Sequence, residues 1–259
     1  FTGIRIMGVF QNNLLAGAVA ATAGGGAFYG YQIENSLRIG SGDTLRRTPS
    51  SDGDRTVWTF SAWIKRAIID DSGGQYQVLE SGASGNQDTR LFYGFHSTNG
   101  WQASSGNVNY GATSEVFRDL GGWSHFVIKH TGGVSTIYLN GTSFHTWSIS
   151  GNTAINKSGL VHGIGCRGGS GSGAELLGYM AEVHLVDGTA YDPTQFGESK
   201  NGVWIPKDPS GTSYGTNGVY LKFENASDLG NDSSGNNNDY TSNMGTDHQS
   251  IDTPTLGTG

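Results

Sequence analysis

The sequence predicts an all-β protein, a mostly antiparallel jelly-roll sandwich of two sheets. Three observations point there. Short runs that alternate apolar and polar residues recur along the chain, as half-buried strands require. Turn-forming residues separate them, with Gly 43 times and Pro only 5 times. No long stretch carries the 3.6-residue period of a helix. The pattern gives about ten to fourteen short strands. It has no fixed repeat of the kind a propeller or solenoid shows.

The elements follow in order. Residues 1–32 read as an arm outside the sandwich. Leu14 to Ala27 is a run of small apolar residues, shorter than the roughly 20 that span a bilayer. It has the look of a signal-peptide core, but Gln11-Asn12-Asn13 flanks it and Arg5 is the sole cation upstream. An arm packing on a partner subunit through Phe10, Leu14, Leu15, Val19, Phe28 and Tyr29 is the preferred reading. The first methionine is Met7, so either the chain is processed or translation starts there.

Ser36 to Ile39 opens the sandwich, expected over residues 33–241. Leu45 to Ser51 reads as a loop. Arg55 to Arg66 is the strongest strand signal: Val57, Thr59, Ser61 and Trp63 face one way, and Trp58, Phe60, Ala62 and Ile64 the other. Gln75–Glu80 and Arg90–His96 are further strands, and Val108–Ala112 is a weaker one. From Trp123 to Phe144 the chain reads as a three-stranded meander. Its turns fall at Gly132-Gly133 and Asn140-Gly141, dipeptides that supply the positive φ of tight hairpins. Gly159–Arg167 is another short strand.

Gly178 to Leu185 is apolar on both faces, as a central strand should be. Simple alternation sets Tyr179, Ala181, Val183 and Leu185 against Met180, Glu182, His184 and Val186. Asn201–Gly218 reads as irregular extended chain and Gly218–Asn225 as a last good strand. Asp239–Thr241 is expected to pair briefly, and 242–259 to be a tail or linker.

Composition limits function. The net charge of −7, with no Lys/Arg patch, argues against nucleic acid. Cys166 is the only cysteine, so neither an internal disulfide nor a multi-cysteine metal site can form.

Several pieces together resemble the laminin-G-like branch of the concanavalin-A-like lectin/glucanase superfamily. They are Thr59-Phe60-Ser61-Ala62-Trp63-Ile64-Lys65, Trp123-Ser124-His125-Phe126, Ile137-Tyr138-Leu139-Asn140-Gly141, Gly178-Tyr179-Met180-Ala181-Glu182-Val183 and Asp232 to Asp239. The resemblance implies a concanavalin-A-like jelly roll. A narrower one, over Met7–Asn35 and Asp187–Phe223, is to virion-associated proteins of marine tailed phages. It implies a head-decoration or tail-fibre component on an extracellular particle, with other virion proteins and copies of itself as partners. Longer relatives continue past Thr253-Pro254-Thr255, so the chain reads as a short version or a fragment.

Glucanases of that superfamily carry spaced carboxylates on one strand as acid and nucleophile. Here Glu182 stands alone in Ala181-Glu182-Val183-His184, so a non-enzymatic protein is expected, with glycoside hydrolysis the weaker alternative. The histidines show no metal-binding spacing. Calcium is the one cofactor the sequence offers, since Asp228, Asp232, Asn236 and Asp239, with Asn231 and Asn238, crowd hard oxygen donors into one loop. Binding of a host-surface glycan needs an exposed aromatic platform, for which Trp101, Tyr110 and Trp147 are the candidates. No membrane insertion is expected.

Overall fold

A computed structural model describes residues 28–69, 74–82, 90–105, 108–169 and 173–256. Phe10, Leu14, Leu15 and Val19 of the expected arm lie outside them.

The strands are β1 (Ser36–Ile39), β2 (Leu45–Arg47), β3 (Trp58–Arg66), β4 (Tyr76–Gly82), β5 (Arg90–Phe95) and β6 (Trp101–Ser105). Then come β7 (Val108–Ala112), β8 (Ser124–Thr131), β9 (Val134–Leu139), β10 (Thr142–Ser148), β11 (His162–Ile164) and β12 (Gly178–Asp187). The last are β13 (Gly197–Lys200), β14 (Val203–Pro206), β15 (Val219–Leu221), β16 (Thr241–Ser242) and β17 (Gln249–Ser250). One sheet runs β10-β9-β8-β3-β12-β1-β17, with β15 also paired to β12; the other runs β16-β2-β11-β4-β5-β6-β7. All pairings are antiparallel. The expected two-sheet sandwich is the observed fold. No described helix is long and apolar enough to cross a membrane.

The meander forms as read. Gly132 and Gly133 turn β8 into β9 at φ 60 and 75, and Asn140-Gly141 turns β9 into β10 at φ 46 and 82. The faces of β3 also follow its alternation: Trp58, Phe60, Ala62 and Ile64 enter the core between the sheets, while Trp63 belongs to a separate outer cluster.

On β12 the alternation breaks. Its pairing with β3 shifts register between Ala181 and His184, and Glu182 sits there at φ 49. A bulge inserts one residue and reverses the facing of everything after it. Met180, Val183 and Leu185 therefore share the main core, while Ala181 and Val186 lie in outer clusters. This corrects the simple two-face reading, because period 2 holds only while the ladder is unbroken.

A third layer covers the outer face of the β12 sheet. The β13–β14 hairpin, whose second strand falls in the Asn201–Gly218 stretch read from sequence as irregular chain, carries Trp204 onto that face: Trp204 Nε1 donates to His125 Nδ1 at 3.0 Å. The final described residues are part of the sandwich and not a linker, a second correction. β17 pairs with β1, Lys65 meets Asp252 at 2.6 Å, and Thr255 Oγ1 accepts the Ile33 N–H at 2.9 Å. Strand pairs this short carry little local signal, so only the neighbouring strand reveals them.

Candidate functional site

Among the described residues, two places gather polar side chains into a candidate site. The first lies on the outer face of β12. The bulge turns Glu182 and His184 away from Met180 onto this face, with His184 Nε2 3.7 Å from Glu182 Oε2. Tyr220 donates a short hydrogen bond to Glu182 Oε2, and Tyr31 OH donates to the same oxygen at 3.1 Å. His184 Nδ1 lies 2.9 Å from Tyr214 OH, and its ring stacks on Phe196 and Tyr220 with centroids 4.7 and 4.2 Å away.

Glu182 is 6% exposed and His184 2%. Burial pushes the Glu182 carboxyl up to about 7, against the two tyrosine hydroxyls that pull it down. Burial also holds His184 well below its ordinary value and keeps it neutral. A left-handed backbone at a buried carboxylate is a usual mark of a functional centre. Here, however, Tyr31 and Tyr220 close over the carboxylate. A substrate would have to displace both before it could reach Glu182.

The second place is open. A cleft of about 540 Å3 lies beside the β16–β2–β11 edge, lined by Arg46, Arg47, Thr48, Ser50, Val161, Asn237, Asn238, Asp239 and Thr241. Its size falls within the roughly 300–1,000 Å3 common for small-molecule sites. Register builds it: Arg46 lies between Thr241 of β16 and Gly163 of β11, and Arg47 lies opposite His162. Arg46 Nε donates to the Arg167 carbonyl at 2.9 Å. Arg47 donates to the Asn217 carbonyl at 3.4 Å and to Asn238 Oδ1 by a short hydrogen bond. Partial burial lowers the Arg47 guanidinium from its ordinary value, with Asp232 and Asp239 acting against the shift.

The expected site residues divide. Trp101 and Trp147 are 0% and 4% exposed, so neither can serve as a platform. Trp101 packs between Phe95 and Phe126, with centroids 5.2 and 4.8 Å away, and Trp147 lies against Tyr93 and His145 at 6.1 and 4.7 Å. Both face inward because their strands cover the core. Tyr110 is half-buried and packs against the same core.

The expected calcium loop is folded by its own hydrogen bonds. Asp232 Oδ1 accepts the N–H groups of Tyr220 and Ser234, and Oδ2 accepts Ser234 Oγ–H and the Asn238 N–H, at 2.8–2.9 Å. Asp239 Oδ1 accepts the Asp232 N–H at 2.8 Å, while Asn236 donates to the carbonyls of Gly215 and Gly218. Asp228 is exposed. Among the described residues no three His, Cys, Asp or Glu side chains converge on a metal position. The crowding of donors in sequence is therefore spent on backbone partners, which corrects the calcium reading. Cys166 is buried, its thiol pushed up by burial, and Leu45 donates its N–H to Sγ at 3.4 Å.

The arginines were missed because Leu45–Ser51 reads as a loop. An adjacent Arg pair leading into Thr-Pro-Ser-Ser was the available signal. Of the arm residues, Phe28 and Tyr29 are described and half-buried, with rings edge-on at 5.2 Å. Lys200 Nζ donates to the Phe28 carbonyl at 2.6 Å.

A family profile described as the concanavalin A-like lectin/glucanases superfamily matches residues 40–194. No curated protein matches the sequence. Among solved structures, a Bacteroides ovatus protein assigned as carbohydrate binding aligns with TM-score 0.50 and 17% identity, over 83% of this chain and 59% of that one. That likeness shows the fold, and this chain spans little more than half of that protein. A heptameric SAP-like pentraxin from Limulus polyphemus aligns with TM-score 0.44 and 18% identity, covering 62% and 79%. The enzymatically active domain of bacteriophage CBA120 tailspike protein 2 aligns with TM-score 0.43 and 14% identity, covering 68% and 30%.

Proposed function

The chain belongs to the concanavalin A-like lectin/glucanases superfamily, and on that premise we propose that it is a glycan-recognition module whose binding site is the cleft beside β2. The observation that carries this is the cleft itself: about 540 Å3, open, and lined almost wholly by hydrogen-bonding side chains. Asn, Asp, Ser, Thr and Arg side chains supply donors and acceptors at fixed positions, which is what a ring of hydroxyls requires. Hydrolysis is disfavoured by geometry, because the buried Glu182 is covered by Tyr31 and Tyr220 and, among the described residues, the cleft is lined by one carboxylate, Asp239. A glycosidase needs two carboxyl groups flanking the scissile bond.

Ser50 and Thr241 are exposed on the cleft rim, so an indole there should block entry without disturbing the core. On a glycan array, Ser50→Trp and Thr241→Trp are expected to abolish the binding shown by the parent chain. Trp at the exposed Ser143, on β10 of the other sheet, should leave it intact. Unchanged binding in both cleft variants would refute this location.

A second reading is assembly on a phage particle through residues 1–32. It is favoured by the way the described end of that segment is fastened to the sandwich: Lys200 to Phe28 and Tyr31 to Glu182. Anchored there, the preceding residues would be presented to a partner copy from a fixed point. In light scattering the full chain is expected to be a homo-oligomer, and a chain starting at Phe28 a monomer. A monomeric full chain would count against this reading.

A further inference from the structure

The cleft's lining also indicates what kind of glycan fits. Among the described residues it has no aromatic wall, and Val161 is the one apolar side chain lining it. Stacking on an aromatic face, with its large apolar contribution, is not available. Affinity must come from hydrogen bonds, and the strongest of those are charge-assisted. Two guanidinium groups line the cleft against one lining carboxylate, Asp239, and Asp239 Oδ1 already accepts the Asp232 N–H.

Each arginine is oriented by an oxygen of the fold: Arg46 by the Arg167 carbonyl, Arg47 by the Asn217 carbonyl and the Asn238 amide. A guanidinium fixed in this way loses little further freedom on meeting a planar or tetrahedral anion, and it offers parallel donors to it. The lining carries one net positive charge in a chain of net charge −7, with Asp232 acting on Arg47 from behind it.

We infer that the cleft binds an acidic glycan, with Arg46 and Arg47 receiving a uronate carboxylate or a sulfate ester while Ser50, Asn237 and Thr241 meet neighbouring hydroxyls. The inference rests on the glycan-binding reading of this cleft and specifies its ligand class.

Calorimetry on the full chain tests it with three probes: an oligogalacturonate, its neutral methyl ester, and a sulfated galactan oligosaccharide of similar length. At least one acidic probe is expected to bind tenfold or more tightly than the methyl ester, and its affinity should fall as sodium chloride is raised. Arg46→Gln should remove that tenfold preference and Arg46→Lys should restore part of it, with thermal melts confirming that both variants fold. The carboxylate and sulfate arms identify the anion. Equal binding of charged and neutral probes, blocked by Ser50→Trp, would overturn the acidic preference and leave glycan binding in the cleft standing. Acidic binding untouched by both Arg46→Gln and Ser50→Trp would put the anion elsewhere and overturn the inference. No binding of any probe would overturn it as well, and unaltered array binding in the Trp variants would show that the cleft reading had failed with it.

Discussion

Acidification from pH 7 to about pH 5 is expected to unfold this protein cooperatively. The cause is four histidines buried in neutral form: His125, His130, His162 and His184 are all 2% exposed or less. Burial lowers His125 from 6.5 to about 3 and His130 and His162 to about 4, and holds His184 well below 6.5. The hydrogen bonds agree. His162 Nε2 accepts the Asn156 N–H and its Nδ1 meets the Leu160 carbonyl, so a second proton would face a donor. At His125 the same conflict arises, because Nδ1 accepts from Trp204 Nε1 while Nε2 meets Ser61 Oγ.

In the unfolded chain these rings take up protons near pH 6.5, and in the native state they do not. Stability is therefore full above that value and is lost as pH falls toward the folded values. At pH 5 His125, His130 and His162 each cost about 2 kcal/mol, some 6 kcal/mol together, and His184 acts in the same direction. Glu182 acts in the opposite sense. Its folded value of about 7 lies above the ordinary 4.5, so its burial weakens the fold as pH rises through that window and returns about 2 kcal/mol on acidification. The net loss, about 4 kcal/mol before the share of His184, approaches the whole stability of many domains. Tryptophan fluorescence and circular dichroism against pH should show one transition between about pH 6 and pH 4.5, and His125→Gln should move its midpoint lower if that variant folds. Native spectra retained at pH 4 would contradict this.

Asp187→Ala should be the most damaging single change of a polar side chain. Asp187 ends β12 and is 5% exposed. Its Oδ1 accepts the Asp54 N–H at 2.6 Å and Asn156 Nδ2 at 3.2 Å, and its Oδ2 accepts the Asn217 N–H at 2.9 Å. One carboxylate thus joins the loop before β3, the loop before β11 and the loop before β15. Gly53 passes so close that a Cβ there would lie 2.3 Å from Oδ2. Removing the carboxylate leaves buried donors unpaired, each worth about 1–3 kcal/mol, so a loss of about 3–5 kcal/mol is expected in urea unfolding. A loss under about 1 kcal/mol would mean that water replaces the carboxylate. The exposed Lys129–Asp192 pair contributes less than about 1 kcal/mol by comparison.

Local chemistry made much of the fold legible. The β3 alternation, the Gly-Gly and Asn-Gly turns of the β8–β10 meander, and the two-sided apolar character of β12 each state their environment within a few residues. They were enough to reach the sandwich and the superfamily. The sites were less legible, because a site depends on which strands meet. Trp101 and Trp147 look like ligand platforms until the sheets close over them. The Asp232 loop looks like a cation site until Tyr220, Ser234 and Asn238 present their N–H groups to it.

Glu182 marks the division most clearly. By itself, the sequence determined that β12 is central and that its carboxylate has no partner at catalytic spacing. Tertiary structure alone decided that a bulge turns Glu182 and His184 away from Met180 to the outer face, that Tyr31 from more than a hundred residues away seals them, and that Arg46 and Arg47 line one cleft with Asn238 and Asp239. Periodicity is a property of a strand in isolation. Register, bulges and the burial of polar groups are settled by the neighbouring strands, and those contacts join residues that the sequence keeps far apart.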